Sequence, residues 1–256
     1  MGKLNNRWGF LLRDRGLLNV ISYTLYGNDS TTKKIAGEKM ENRESKDNEA
    51  RLKKDVAGAD DAALMWQEVK REHIIQDEWL DFRRLAYRLP DGTVSEPYYT
   101  YSRRDYVVIV ASDENGRYLC VRQYRQGVDR VTTEFPAGGI ERSGAFDYRT
   151  DSARDDIAED SLESAKRELL EETGYEADEW EHLLTIPSNA TIADNYAYIY
   201  RARNCRKVSD QHLDDIEFLN TRLLKAEEIE RLIHGGDFLQ AVHVMAWLLA
   251  KESDDR

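Results

Sequence analysis

Three glutamates lie close together in one short stretch of the sequence, RELLEETGY at residues 167–175. On a helix, Glu168 and Glu172 share one face because they are four residues apart, and Glu171 lies on the same flank. Like charges at this spacing repel each other. A solvated helix face is the common explanation of such a charge run. The alternative is a divalent cation between the carboxylates, because Mg²⁺ and Mn²⁺ prefer oxygen ligands.

The stretch from about Glu159 to Glu172 has the pattern of the helix that would position these side chains. Leu162, Ala165 and Leu169 follow a spacing of three and four residues and form an apolar stripe. The glutamates lie beside this stripe, so their side of the helix can face a cleft and stay half-buried. Carboxylates clustered in a cleft repel each other unless a cation neutralises them. The pattern therefore favours metal binding over solvation.

The segment TTEFPAGGIER, which comes before this helix, has the composition of a tight loop. Pro136, Gly138 and Gly139 give the backbone the conformations that tight turns need, and they leave backbone groups open. The preceding runs, DYVVIVASDENGRYLCVRQYR, predict a β-hairpin with its turn at residues 113–116. We expect the loop to follow from the second strand of this hairpin.

The order of the other elements predicts an α+β layered domain. Residues 70–101 alternate as two antiparallel strands around the turn LPDG would. EWEHLLTIPS and NYAYIYRARN are strand-like, whereas KAEEIERLIHGG and DFLQAVHVMAWLLAKE are helix-like. The chain thus divides into a charged N-terminal extension over 1–65, predicted to be flexible, a strand hairpin over 66–101 and the main domain over 102–256.

The composition disfavours several classes of protein. Acidic residues number 49 against 37 basic ones, and the net charge of -12 opposes binding to nucleic acid. The sequence has no apolar run long enough to span a bilayer, so we expect no membrane partner. Cys120 and Cys205 lie far apart without the spacing of metal ligands, which predicts buried reduced thiols and a cytoplasmic protein.

The stretch RELLEETGY resembles the second half of the Nudix box. That box reads Gly, five residues, Glu, seven residues, Arg-Glu, an aliphatic residue, any residue, Glu-Glu, any residue, Gly and an apolar residue. Glu159 precedes Arg167 by the required seven residues, and FPAGGIER resembles the first half with Gly138 as its leading glycine. Twenty residues separate Gly138 from Glu159 where the box has five, which predicts an insertion at about 144–158. The insertion could bulge into solvent at little cost, or form a lid or a partner contact.

The resemblance implies a Nudix-type α/β/α sandwich with a mixed sheet, and a role for each residue of the box. Arg167 would orient the catalytic glutamates through hydrogen bonds, with a plain helix salt bridge as its alternative role. Glu171 would complete the acidic catalytic cluster. Mg²⁺, or else Mn²⁺, is the implied cofactor. The implied metal ligands are Ala137 through its backbone carbonyl, Glu159, Glu168 and Glu172.

A hydrolase of this kind also needs a base for its water. In relatives of the family a late acidic loop often supplies this base, and SDQHLDDIEF is the corresponding segment here. The candidates are Asp214, Asp215 and Glu217, and Glu217 is preferred because it ends a family-like pattern of Gln, any residue, Leu, Asp, two residues and Glu. An acidic solvent loop is the alternative for each of them. His212 is interpreted as a surface histidine.

Four further stretches resemble the ADP-ribose pyrophosphatase branch of the family, the nucleoside-diphosphate-sugar hydrolases. They are LPDG, DYVVIVA, VRQYR and EFPAGG, and with the box they extend the resemblance over residues 70 to about 245. A structural ion pair is the alternative role for each arginine of VRQYR. The implied substrate-binding residues are Arg122, Arg125, Glu134, Gly138 and Gly139.

The leading hairpin resembles the N-terminal strands through which that branch dimerises, so a homodimer is implied. The aromatic residues Tyr98, Tyr99 and Tyr101 fit such an interface, a stack on a nucleobase or ordinary core packing.

The implied function is Mg²⁺-dependent hydrolysis of the diphosphate of ADP-ribose or a related nucleoside-diphosphate sugar, which gives a nucleoside monophosphate and a sugar phosphate. One alternative keeps the Nudix chemistry but acts on a dinucleotide or a nucleoside triphosphate. Another is a non-catalytic module that senses a nucleotide sugar and controls a partner. The retained glutamates and the lack of a basic recognition helix disfavour this last alternative.

Overall fold

The computed structural model of the chain describes residues 61–141, 160–213 and 218–254. The chain divides into two units, Met1–Ala62 and Ala63–Arg256. The first unit is described at residues 61 and 62, which begin the short 3-10 helix Asp61–Leu64. The predicted insertion at about 144–158 and the extension over 1–65, apart from its last five residues, lie outside the described residues.

The second unit is an α+β domain, as predicted. The strands are β1 Gln67–Gln76, β2 Asp81–Arg88, β3 Val94–Ser102, β4 Tyr106–Asp113, β5 Tyr118–Arg125, β6 Arg130–Glu134, β7 Ala137–Gly139, β8 Tyr175–Glu176, β9 Glu179–Pro187, β10 Tyr196–Lys207 and β11 Leu219–Leu224. The helices are α1 Ser161–Thr173, α2 Ala226–Gly235 and α3 Ala241–Asp254.

The strands form two sheets. One has three strands in the order β1-β2-β3. The other has eight strands along the path β11-β5-β4-β10-β8, with β6 paired to β5, β7 to β4 and β9 to β10. The large sheet is mixed. β10 runs parallel to β4, whereas the other recorded strand pairs of this sheet are antiparallel.

The region before the main domain contains one strand more than the two that were predicted. β2 and β3 form the expected hairpin around LPDG, and β1 pairs with β2 along its other edge. Nine of the ten residues of β1 are exposed. Its sequence, QEVKREHIIQ, accordingly lacks the alternation of apolar and polar residues by which a half-buried strand is recognised. A second difference is that α3 begins at Ala241, although the helix-like stretch begins at Asp237. The backbone N–H groups of Asp237 and Phe238 instead donate to the carbonyl of Leu232 in α2.

Helices cover both faces of the large sheet. The central strand β4 is buried on both faces, and its side chains alternate between them. Val107 and Ile109 pack with Leu169 of α1, whereas Val108 and Val110 pack with Trp247 of α3. This arrangement confirms the predicted α/β/α sandwich.

Both cysteines are buried free thiols, and burial raises the pKa of Cys120 and that of Cys205. Within the described part of the chain, no helix is long and apolar enough to cross a membrane.

Both ends of α1 are capped, which fixes the helix that carries the three glutamates. At its start, the side chain of Asp160 accepts a hydrogen bond of 2.9 Å from the backbone N–H of Leu162. At its end, Gly174 has a φ of 74° and donates to the carbonyl of Leu170 at 2.7 Å. A Cβ at position 174 would lie 2.2 Å from the backbone oxygen of Ser209. Glycine is therefore required there both by the left-handed conformation and by the approach of another segment.

Candidate active site

Two of the three glutamates of RELLEETGY lie against the loop that precedes α1. Glu168 is 8% exposed and Glu172 is 3% exposed, so neither lies on a solvated face. The carboxylate of Glu172 accepts a hydrogen bond of 3.0 Å from the backbone N–H of Ala137. Glu171 differs from them, because its side chain is 40% exposed. The helix thus presents two buried carboxylates to the loop and one at the edge.

Gly138 provides the space for the carboxylate of Glu168. A Cβ placed on Gly138 would lie 2.0 Å from the carboxyl carbon of Glu168 and 2.1 Å from each of its oxygens. Any other residue at position 138 would displace this carboxylate, since real Cβ atoms do not approach other atoms so closely. At Gly139 the nearest such atom is Cδ of Arg104, at 3.9 Å. The close approach is therefore specific to Gly138.

Arg167 connects the same loop to two of the glutamates. Its Nη1 lies 2.8 Å from Oε2 of Glu171 and 3.0 Å from Oε1 of Glu168. Its Nη2 donates to the carbonyl of Gly139 at 3.1 Å. A plain helix salt bridge would include the contact with Glu171 but not the contact with the loop carbonyl.

The oxygen atoms gathered at this point suit a hard divalent cation. Among the described residues, no three side chains of His, Cys, Asp or Glu lie close enough together to hold a metal ion. The carboxylates of Glu168 and Glu172 do lie against adjacent residues of the loop, Gly138 and Ala137. Mg²⁺ commonly uses one or two carboxylates and takes its other ligands from water and substrate phosphates. This donor set therefore fits Mg²⁺, and Glu159, a further predicted ligand, lies outside the described residues.

The strand that leads into the loop ends on an ion pair whose carboxylate is buried. Glu134 is fully buried and accepts from Nε and Nη2 of Arg125 at 2.9 Å and 2.5 Å. The hydroxyl of Thr132 also donates to Glu134, at 2.5 Å. Burial alone would raise the pKa of Glu134, but the hydrogen bonds from Arg125 hold that pKa below its usual value. Glu134 is therefore an anion at neutral pH and keeps Arg125 in place.

The next residue, Phe135, is held by a histidine that the sequence reasoning did not single out. The backbone N–H of Phe135 donates to Nδ1 of His243 at 3.2 Å. His243 lies on α3 and is 3% exposed. Burial lowers its pKa to about 4, although the charge of Glu134 acts to raise it and that of Arg125 to lower it. A neutral ring with an unprotonated Nδ1 agrees with its role as acceptor. Its sequence signal is weak, a single histidine within the apolar run AVHVMAWLLA.

Arg122, the other arginine predicted to bind substrate, also lies in an ion pair. Its Nη1 is 2.6 Å from Oδ2 of Asp237 and donates to the hydroxyl of Thr133 at 2.8 Å. Both arginines of VRQYR thus form ion pairs with carboxylates. A structural ion pair was the alternative role considered for each of them. Their side chains are nevertheless 26% and 33% exposed, so neither arginine is fully buried.

The late acidic segment meets the end of α1, although the candidate bases themselves are not described. Asp214, Asp215 and Glu217 lie outside the described residues. On the near side of them, His212 is exposed and its backbone N–H donates to the carbonyl of Glu171 at 2.9 Å. The segment before the candidates is therefore attached to the helix that carries the glutamates.

The comparison with known families and proteins agrees with this geometry. The NUDIX domain matches residues 102–247, which is more than half of the chain. A methanol dehydrogenase activator from Bacillus methanolicus is 28% identical over 161 residues, which cover 62% of this chain and 78% of that protein. An ADP-ribose pyrophosphatase from Bacillus subtilis (strain 168) is 23% identical over 188 residues, which cover 72% of this chain and 93% of that protein.

A solved structure, that of an ADP compounds hydrolase, has the same fold. It matches with a TM-score of 0.60 and 20% sequence identity, over 73% of this chain and 92% of the other. The predicted Nudix fold and the resemblance to ADP-ribose pyrophosphatases are both confirmed.

Enlarging Gly138 tests the cation site directly. We expect Gly138→Ala to weaken the binding of Mn²⁺ by at least about tenfold, because the added methyl group would displace the carboxylate of Glu168. Isothermal titration calorimetry with Mn²⁺ alone measures this effect. Gly139→Ala is the matched control, since its Cβ meets only Arg104, at 3.9 Å. Equal affinity in the two variants would contradict the assignment of Glu168 as a ligand.

The buried His243 should make the protein less stable in mild acid. An unfolded histidine titrates near its ordinary pKa of 6.5 and the folded one near 4, so the unfolded chain takes up the proton first as the pH falls. The stabilisation is present above pH 6.5 and is lost towards pH 4, by up to about 3 kcal/mol. Urea unfolding across this range should show a smaller loss for His243→Asn, in which the amide oxygen can still accept from Phe135. Parallel curves for the two proteins would refute a buried neutral histidine.

Proposed function

This chain belongs to the Nudix family, and we propose that it hydrolyses the diphosphate bond of ADP-ribose or a related nucleoside-diphosphate sugar. The products would be a nucleoside monophosphate and a sugar phosphate. The observation that carries the proposal is the pair of buried carboxylates, Glu168 and Glu172, held against Gly138 and Ala137. The substrate class is supported by the relatives that are ADP-ribose pyrophosphatases, from Bacillus subtilis and, at 29% identity over half of this chain, from Mycobacterium tuberculosis.

The residues of the site would prepare it for an anionic substrate and a metal ion. Bound Mg²⁺ would neutralise the diphosphate and favour attack of a water molecule on phosphorus. Glu168 and Glu172 would hold the ion together with the carbonyl of Ala137 and with Glu159. The contacts of Arg167 with Glu168, Glu171 and the Gly139 carbonyl keep the loop and the helix in register.

The proposed substrate contacts come from the two paired arginines. Arg122 and Arg125 are partly exposed, and their carboxylate partners Asp237 and Glu134 keep the guanidinium groups in fixed orientations. A guanidinium group that is held in this way binds a phosphate oxygen with less loss of side-chain entropy. The water would give its proton to one of the candidate bases, Asp214, Asp215 or Glu217, or to Glu171 at the edge of the site.

A second candidate function has its own support. The methanol dehydrogenase activator from Bacillus methanolicus is also a relative, with 28% identity. A Nudix module of that type would act on a partner protein, and hydrolysis of a free nucleotide sugar need not be its main role.

Substitution of the two buried glutamates separates these candidates. We expect the wild type to release AMP from ADP-ribose with Mg²⁺, and Glu168→Gln and Glu172→Gln to lower kcat by at least about 100-fold, because each removes an anionic ligand. Glu163→Gln is the control, because Glu163 lies on the same helix with its side chain 62% exposed.

Three competing substrates define the alternatives. UDP-glucose, NADH and ATP should be turned over more slowly than ADP-ribose. A preference for NADH or ATP would move the specificity to a dinucleotide or a nucleoside triphosphate. Binding of ADP-ribose without turnover of any compound would favour the activator role.

We also propose that the protein is a homodimer that associates through the three-stranded sheet. β1 is an edge strand whose residue Ile75 is 49% exposed, and Trp79, which follows the strand, is 63% exposed. The tyrosines of β3 make different contacts. Tyr98 packs edge-on against Trp66, whereas Tyr99 stacks on Phe82 and remains 42% exposed. Tyr101 joins the main domain through backbone bonds to Ile192 and Asp194.

Light scattering coupled to size-exclusion chromatography tests the dimer. The wild type should elute with twice the chain mass of 29.7 kDa. Ile75→Lys should shift it to the mass of a single chain, because a charge would replace apolar surface in the interface. Leu248→Lys is the control, since Leu248 is 61% exposed on α3. A monomeric wild type, or a dimer that resists Ile75→Lys, would refute this interface.

A further inference from the structure

The last turn of a helix leaves carbonyl groups without partners inside the helix. At the end of α1, backbone N–H groups from residues 208–212 donate hydrogen bonds to such carbonyls. The backbone N–H of His212 donates to Glu171, and those of Val208 and Ser209 donate to Gly174 just beyond the helix. These are ordinary backbone contacts.

The carbonyl of Glu172 is bound differently, by two side chains from separate segments. Nε2 of Gln211 donates to it at 2.5 Å, and the hydroxyl of Thr221 donates to it at 3.1 Å. Nε2 of Gln211 also donates to the Thr221 hydroxyl, at 2.9 Å. We call this set of three hydrogen bonds the carbonyl clamp.

The donors and acceptors of the clamp balance. The amide nitrogen of Gln211 has two hydrogens, and each has an acceptor. The hydroxyl of Thr221 receives one bond and gives its single hydrogen to the carbonyl of Glu172, whose oxygen can accept two bonds. Changing either side chain would therefore leave part of this part-buried set unsatisfied.

The clamp acts on the residue whose side chain reaches the loop. Glu172 is held at its backbone by Gln211 and Thr221, and at its carboxylate by the N–H of Ala137. Thr221 lies on β11 and pairs with Val121 of β5, so the clamp attaches the end of α1 to the large sheet. A shift of the Glu172 backbone would move its carboxylate relative to Ala137.

We propose that Gln211 and Thr221 are positioning residues, which act through the backbone carbonyl of Glu172 to hold its carboxylate in the geometry that binds the metal ion. This inference rests on the proposed function for its kinetic test, and on the cation site alone for its binding test. It also explains a residue that the sequence left without a role, because Gln211 opens the pattern that ends at Glu217.

Substitutions of matching shape test the clamp. Gln211→Glu removes both donors, and Thr221→Val removes the hydroxyl. We expect each to lower kcat for ADP-ribose by about 10- to 100-fold, the usual effect of losing a group that supports a metal ligand. The Mg²⁺ concentration for half-maximal rate should rise, while KM for ADP-ribose at saturating Mg²⁺ should change by less than about threefold. Thr221→Ser should restore nearly the wild-type rate, because it keeps the hydroxyl.

The double variant and a control distinguish positioning from loss of folding. Because both side chains act on one carbonyl, Gln211→Glu with Thr221→Val should be little worse than the poorer single variant. Gln240→Glu, the same change at a half-buried position before α3, should leave kcat unchanged. Wild-type kcat and Mg²⁺ dependence in both single variants would overturn the proposal. So would losses that multiply in the double variant, or losses that follow thermal stability in all variants.

Titration with Mn²⁺ alone keeps this test separate from that of the proposed function. If the wild type hydrolyses none of the substrates, the proposed function fails. The positioning role is then supported if Gln211→Glu and Thr221→Val bind Mn²⁺ at least about tenfold more weakly than wild type and Gln240→Glu. It is overturned if all four proteins bind Mn²⁺ equally.

Discussion

The candidate active site depends on the contact between two carboxylates of α1 and the backbone of the loop that precedes this helix. Glu168 lies directly against Gly138, and Glu172 accepts from the N–H of Ala137. Two buried carboxyl groups are costly unless hydrogen bonds or cations compensate them. The surrounding structure must therefore fix both the helix and the loop accurately enough for these contacts to be made. The caps of α1, the contacts of Arg167 and the carbonyl clamp all act on this one junction.

The start of the loop is also held by side chains of β5, β6 and α3. Glu134 is bound by Arg125 and Thr132, and the N–H of Phe135 is bound by His243 of α3. Glu134, Thr132 and His243 are buried and Arg125 is half-buried, so a displacement of the loop would leave polar groups unsatisfied. The junction is thus positioned by both layers of helices, α1 on one face of the sheet and α3 on the other.

The sequence could predict the parts of this site that depend on local spacing. The helix, the juxtaposition of Glu168 and Glu172, and the leading glycine all follow from periodicity or from the motif, and the predicted fold is confirmed. The parts that depend on tertiary contacts could not be read in this way. His243 looks like one polar residue in an apolar helix, and Gln211 looks like part of a polar loop. β1 was missed because it is exposed along nearly its whole length, so it lacks the alternation that marks a half-buried strand.

The balance of charge explains why such a site would need a cation that the protein does not supply. The chain has a net charge of -12, and a diphosphate substrate is also an anion. Arg122, Arg125 and Arg167 each contact at least one carboxylate, so their positive charge is already balanced within the protein. In the proposed function their contribution would be orientation, because a paired guanidinium group would keep its direction when the substrate arrives. The positive charge that draws the diphosphate towards Glu168 and Glu172 would have to come from divalent ions, which the two buried carboxylates would hold in the proposed site.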